Sequence, residues 1–245
     1  MIGSDGIYST VRELSFESSK WVDLDVTNWR WICDHPAEDI QPTYMFGIKN
    51  LFLAYPIGEN RIYCYAQQSD RLNQYQNPDE ARKNLSQLFA NYKGIAKPLL
   101  DKIPSNQHIY TGRLRSVPVP LFTRERVALI GDASSACSPM LQQGAASAFE
   151  DAIVLSALLA HFPAKKALAL YQTHRTERVN WIVKTSDDSI KSFVKINSSF
   201  AAMLRNLFMK RKGPLNVLGW RKLLSVCPLE GLTSFIESNS NESVV

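Results

Sequence analysis

Cysteine and histidine are scarce in these 245 residues, with four of each. Cys33, Cys64, Cys137 and Cys227 lie far apart and form no C-x-x-C pair and no Cys/His cluster. That spacing excludes a zinc-finger-like site and a disulfide scaffold. No bound metal is expected, and free thiols in a reducing, cytoplasmic compartment are. Long apolar runs are also missing: no stretch of about 18 apolar residues occurs, which excludes a helical membrane span. The opening residues, MIGSDGIYSTVRELSF, show no basic segment followed by an apolar core and do not read as a secretory leader. Internal repeats and low-complexity tracts are absent. His35, His108, His161 and His174 have no ligand or triad spacing, so surface or capping roles are expected of them.

What is present is a chain rich enough for a core. Apolar residues make up 45%, too many for a disordered polypeptide. The net charge of +5 suits an anionic cofactor or substrate as well as it would suit nucleic acid. Cations concentrate only in the tail, at Arg205, Lys210, Arg211, Lys212, Arg221 and Lys222. No nucleic-acid signature accompanies them, and none is expected as a partner. The basic tail does raise the expectation of weak peripheral membrane contact.

Along the chain the texture changes twice. Met1-Ile2 run into the turn Gly3-Ser4-Asp5-Gly6, and a helix is expected from Ile7 to about Leu14. Residues 21–120 alternate as strands, with Trp29–Ile32, a hairpin about Lys49-Asn50 and Arg61–Ala66. Within them, helices are expected from Pro78 to about Tyr92 and from Ile95 to Lys102. Odd positions of Arg61–Tyr65 share one face, so Tyr63 and Tyr65 point the same way. With Arg30 they are candidates to line a substrate pocket, or they form an ordinary amphipathic strand face. Arg126–Ile130 is a short apolar run typical of a buried parallel strand. Helices follow at about Gln143–Leu159 and Ala164–Val194. The tail from Phe200 to Ile236 mixes apolar and basic residues, and Ser238–Val245 read as a disordered end.

The most informative segment is RVALIGDASSACSPMLQQGAASAFED, Arg126–Asp151. A buried strand ends at Gly131, where a backbone without Cβ permits close approach. Asp132 follows at the carboxyl end of that strand, the ligand side of an α/β sheet. A carboxylate there can accept hydrogen bonds from sugar-like hydroxyls. The first turn of the next helix, Gly144-Ala145-Ala146, has small side chains and free N–H groups that favour negative charge. The same residues would equally make a plain strand–loop–helix crossover in which Asp132 caps the helix.

The segment resembles the second FAD motif of the p-hydroxybenzoate hydroxylase superfamily. The match runs through Gly131-Asp132-Ala133-Ser134-Ser135, Pro139, Gln142-Gln143-Gly144 and Asp151-Ala152. Ser135 stands where the family commonly has histidine, and Gln142 where it has a first glycine. Gly3-Ser4-Asp5-Gly6 with Ser9, Val11 and Arg12 resembles the family's D-G motif. Ala167-Leu168, Tyr171, Arg175 and Arg178 resemble a further helix pattern, or form a solvated amphipathic helix. The resemblance implies that Asp132 binds ribityl hydroxyls of FAD and that the backbone at Gly144–Ala146 meets the pyrimidine edge of the flavin. It implies that Gly131 and Pro139 shape that site. Asp5 and Gly6 would lie near the pyrophosphate and ribose, and Arg12 would hold that region.

The implied fold is α/β, mixed with α+β character: the C-terminal part of an FAD-binding domain (1–20 and 121–185), an inserted β-rich substrate domain (21–120) and a helical tail (186–245). The implied activity is an FAD-dependent monooxygenase using NAD(P)H and oxygen on a small aromatic or unsaturated ring. The flavin carries the chemistry, so no protein nucleophile is expected. No G-x-G-x-x-G occurs. That raises the expectation of a truncated chain, or of a split enzyme whose partner is an N-terminal FAD-binding half. A non-catalytic remnant, and a flavin-dependent reductase or halogenase, are the alternatives.

Overall fold

The computed structural model describes residues 1–16, 20–34, 40–101, 103–105, 107–213, 215–225 and 229–241. His35 and Cys227 lie outside them. The chain divides into two compact units. One comprises Met1–Val22, Arg115–Ile190 and Met209–Val245; the other comprises Asp23–Leu114 and Lys191–Phe208. The tail expected as a region of its own is thus shared between them.

The second unit is built on a five-stranded sheet. Its strands are β2 (Val22–Asp34), β3 (Thr43–Phe46), β4 (Asn50–Pro56), β5 (Arg61–Ser69) and β6 (Tyr110–Ser116), in the order β3-β4-β5-β2-β6. The hairpin at Lys49-Asn50 forms as the sequence predicts, with Lys49 in the left-handed region at φ 62°. β2 is far longer than its aromatic centre. Its register with β5 sets Trp29 opposite Ala66 and Trp31 opposite Cys64, so large and small residues interlock. Trp29, Trp31, Phe52 and Cys64 form the buried face, covered by Leu85 and Phe89 at helix α2 (Ala81–Leu88) and by Leu99 of α3 (Ala96–Asp101). The helix expected up to Tyr92 ends at Leu88 instead, and it is entered through a 3-10 turn at Pro78–Glu80. Arg113, 4% exposed, pairs with Asp23 and Asp70 and ties the strand ends together.

The first unit holds a three-stranded sheet in the order β1-β8-β7, from β1 (Ile2–Gly3), β7 (Thr123–Arg124) and β8 (Val127–Leu129). β1 and β8 are parallel, as expected of a buried Arg126–Ile130 strand. A Cβ on Gly3 would stand 2.8 Å from Val11 Cβ, so only glycine lets this strand lie so close to α1 (Thr10–Ser15). α1 starts three residues later than predicted, because Gly6 at φ 79° breaks the backbone and Ser9 Oγ caps the helix by accepting from the Arg12 N–H. The short α4 (Asp132–Ser135), then α5 (Gly144–His161), α6 (Ala164–Val194), α8 (Leu215–Leu224) and α9 (Leu232–Asn241) complete the unit. Val154, Leu158, Tyr171, Val183 and Leu232 are buried together with Ala128 of β8. Between α6 and α8 runs α7 (Ser199–Lys212). Ser238–Asn241 are helical, which corrects the expected disordered end for those residues; 242–245 lie outside the described ones.

Candidate functional site

Gly131 adopts φ 59° and ψ −143°, a conformation open essentially to glycine alone. It also lies against α5: a Cβ there would stand 3.1 Å from Ala148 Cβ. The turn delivers Asp132 at the head of α4. Its carboxylate is close to the start of α5, since a Cβ on Gly144 would stand 3.9 Å from Asp132 Oδ1. Surrounding protein raises the pKa of Asp132, and this desolvation is the single cause; no hydrogen bond within the described residues compensates it. Gly144, Ala145 and Ala146 are exposed, and no side chain caps the helix. The first intrahelical bond runs from the Ser147 N–H to Gln143 O, so the N–H groups before it point outward unsatisfied. A partially desolvated carboxylate and open amides at a helix start can together hold a polyol beside an electron-rich ring.

The D-G turn is joined to this loop by an arginine. Ser9 donates to Asp5 Oδ1, and the Val11 N–H donates to Oδ2 at 3.2 Å. Desolvation opposes the charge on Asp5, but these bonds outweigh it and lower the pKa. Arg12 is buried: its guanidinium donates to Ala133 O at 2.7 Å and to Ile7 O. The side chain is turned into the protein and links the two motif loops. Asp5 remains exposed.

Three further anchors hold the Gly131–Gly144 segment, and sequence reasoning did not assign them. Asp151, fully buried, accepts from the Gly131 N–H at 2.9 Å and from Arg175 Nε at 2.7 Å. Burial pushes its pKa up, against the opposing pull of Arg175 and the amide. Arg175 also lies 2.8 Å from Glu150, which Arg178 grips in bidentate fashion at 3.0 Å. Tyr171 donates to Leu129 O at 3.0 Å. The Tyr171–Arg178 pattern is therefore a buried polar network, which corrects the solvated-helix reading. Asp187 accepts from Ser116 and, at 3.0 Å, from the Ser138 N–H, just before exposed Pro139. Trp220 Nε1 donates to Leu141 O at 2.8 Å, while a Cβ on Gly219 would stand 2.6 Å from Leu141 Cδ2. Gln142, where the family has glycine, takes the left-handed conformation at φ 54°. Asp151 could have been found from its place in the motif; nothing in the sequence marks Asp187 or Trp220.

The pocket candidates of the second unit share one sheet face. Tyr63 and Tyr65 cluster with Leu51, Leu53 and Phe193, away from the tryptophan core. Tyr65 is buried and donates to Gln67 Oε1 at 2.7 Å, and its pKa is raised by burial. Tyr63 is half-buried; desolvation raises its pKa too, opposed by the charge of Arg30. Arg30 itself is exposed, opposite Tyr65 in the ladder. Tyr44 and Tyr55 add a hydroxyl pair 2.9 Å apart.

A family model described as FAD binding domain matches residues 1–186. The chain is 31% identical over 221 residues to aurachin C monooxygenase/isomerase of Stigmatella aurantiaca, covering 86% of this chain and 55% of that protein. It is 30% identical to 2-heptyl-3-hydroxy-4(1H)-quinolone synthase of Pseudomonas aeruginosa, covering 76% and 50%. Among solved structures, Klebsiella pneumoniae HpxO complexed with FAD and uric acid has the same fold. It aligns with a TM-score of 0.73 at 20% identity, over 96% of this chain and 58% of that one. The chain spans about half the length of the curated relatives it matches. With the Gly131–Asp151 loop, the D-G turn and these matches agreeing, the chain belongs to the FAD binding domain family, within the p-hydroxybenzoate hydroxylase superfamily of flavin-dependent monooxygenases.

Proposed function

We propose that this chain supplies the flavin-ring end of an FAD site and a ring-binding surface in a hydroxylase that consumes NAD(P)H and oxygen. The observation that carries the reading is Asp132, an exposed carboxylate whose pKa the surrounding protein raises and which has no hydrogen-bond partner among the described residues, beside an uncapped helix start. Asp132 would accept hydrogen bonds from ribityl hydroxyls. The N–H groups at Gly144–Ala146 would face the pyrimidine edge, where a reduced ring carries negative charge. Gly131 and Pro139 set the course of the loop, and Asp5 and Gly6 would serve the ribose and pyrophosphate side. When bound, the flavin supplies the redox and oxygen chemistry. The chain's own residues would bind and orient it.

The substrate reading is a small aromatic or unsaturated ring, in keeping with the quinolone in one relative's name. The tyrosine face offers ring edges and phenol oxygens, and exposed Arg30 offers a cation to an acidic substituent. Free Cys33 and Cys64, with sulfurs 3.7 Å apart, favour a reducing cytoplasmic setting. No G-x-G-x-x-G lies in these 245 residues, so Asp5 and Gly6 would give the pyrophosphate only part of its contacts, and an N-terminal FAD-binding half is the partner this reading calls for.

The test joins this chain to a G-x-G-x-x-G nucleotide-binding segment and measures flavin affinity. Asp132→Ala should weaken binding about tenfold to a hundredfold, the worth of a hydrogen-bonded carboxylate. An unchanged dissociation constant would reduce Asp132 to a structural cap. The 245-residue polypeptide alone should show no stoichiometric flavin absorption.

A further inference from the structure

In α7 the usual sidedness of a surface helix is reversed. Its protein-facing side carries buried Ala202 and the half-buried Arg205. Arg205 donates to Gly47 O at 2.7 Å and to Phe46 O at 3.1 Å, and its guanidinium lies 5.5 Å from the centre of the Phe46 ring. The apolar side faces outward. Phe200, Met203, Leu204, Leu207 and Phe208 are between 49% and 66% exposed. Their spacing of three and four residues places them in one stripe. A stripe of this kind on a soluble protein marks a surface that meets something else.

The charge around the stripe indicates what it meets. From Ser189 to Leu229 the chain has eight lysines and arginines and not one aspartate or glutamate. Three of the cations, Lys210, Arg211 and Lys212, form the last turn of α7 itself. Protein–protein interfaces are depleted of lysine, whereas helices that lie in a membrane interface combine Leu and Phe on one side with Lys and Arg. At 14 residues α7 is about 21 Å long, too short to cross a bilayer core of about 30 Å. No helix among the described residues is long and apolar enough to cross a membrane. A helix so placed can only lie along the surface.

We propose that α7 docks this protein on the surface of a bilayer containing anionic phospholipid. The Phe200–Phe208 stripe enters the headgroup boundary, and Lys210, Arg211 and Lys212 pair with lipid phosphates. The docking stands independently of the flavin site.

Vesicle flotation of the unaltered 245-residue chain tests this. Vesicles of phosphatidylcholine mixed with phosphatidylglycerol should carry the protein; vesicles of phosphatidylcholine alone should carry it at least tenfold less, and salt should release it. Replacing Lys210, Arg211 and Lys212 by glutamine should weaken partition on the order of a hundredfold, at roughly tenfold or less per charge. Leu207→Glu with Phe208→Glu should abolish flotation while circular dichroism and the melting profile stay unchanged. Equal partition into both vesicle types, or none into either, overturns the proposal. So does a dimer seen by light scattering that the Leu207→Glu/Phe208→Glu pair dissolves, because the stripe would then be a protein interface. The two-composition comparison needs no variant, so it decides the matter even where a variant fails to fold.

Discussion

The Gly131–Gly144 segment is fastened by buried charge, whereas the packed face of the five-stranded sheet of the other unit is fastened by rings, with buried charge only at its strand ends. In the first, Asp151 accepts from the Gly131 N–H and pairs with Arg175, Asp187 accepts from the Ser138 N–H, and Arg12 donates to Ala133 O. In the second, Trp29, Trp31, Phe52 and Phe89 interlock, and Trp29 meets Phe89 edge-on at 6.4 Å between centroids. The difference follows from what each region must present. A loop offering open amides and a desolvated carboxylate cannot bury itself under apolar side chains, so it is held from behind by directional bonds. A sheet offering one face can bury the other in ordinary packing.

The sharpest way to break that contrast is a pair of deletions. Arg175→Met strands the buried Asp151 carboxylate and should cost about 3–5 kcal/mol in denaturant unfolding. Phe52→Ala opens a cavity and should cost about the same. Removing the partner separates them. Adding Asp151→Leu to Arg175→Met should restore part of the loss, with the Gly131 N–H still unpaired, whereas adding Phe89→Ala to Phe52→Ala should deepen it. Restoration in both pairs, or in neither, would mean the two regions are held alike.

A smaller effect is expected at Gly131. An alanine there meets Ala148 and must hold φ 59°, which should cost about 1–3 kcal/mol. Flavin affinity in the joined protein should fall with it. Stability loss with unchanged affinity would detach the turn from the site.

The smallest effect has the opposite sign. Burial raises the pKa of Asp132, so the folded chain binds that proton more tightly than the unfolded chain does. The contribution of the group to folding is full at and below the ordinary value of 3.8 and is lost as pH rises through the raised value. At neutral pH the charge is a cost. Asp132→Asn should therefore stabilise the protein at pH 7, by about 0.5 kcal/mol or less. The gain should vanish in melts below the ordinary carboxylate range. Destabilisation at pH 7 would show that Asp132 has a protein partner after all.

Much of this was readable in the chain itself. The apolar run at Arg126–Ile130, Gly131-Asp132 and the small residues at Gly144–Ala146 are local patterns, and local geometry followed: a parallel strand, a left-handed glycine, an uncapped helix start. The hairpin at Lys49-Asn50 and the shared face of Tyr63 and Tyr65 followed from period-two alternation. What only the tertiary structure decided are contacts between residues far apart in sequence. Arg175 fitted either a family helix pattern or a solvated amphipathic face until folding set it 2.7 Å from Asp151. Arg12 was a motif position expected to hold the D-G region, and only the fold shows its donors on the carbonyls of Ala133 and Ile7. Trp220 and Asp187 carry no motif. α7 reads as an ordinary mix of apolar and basic residues, and periodicity cannot say which side faces the protein. The carbonyls of Phe46 and Gly47 settle that by capturing Arg205, a hydrogen-bonding demand set by a hairpin some 160 residues earlier.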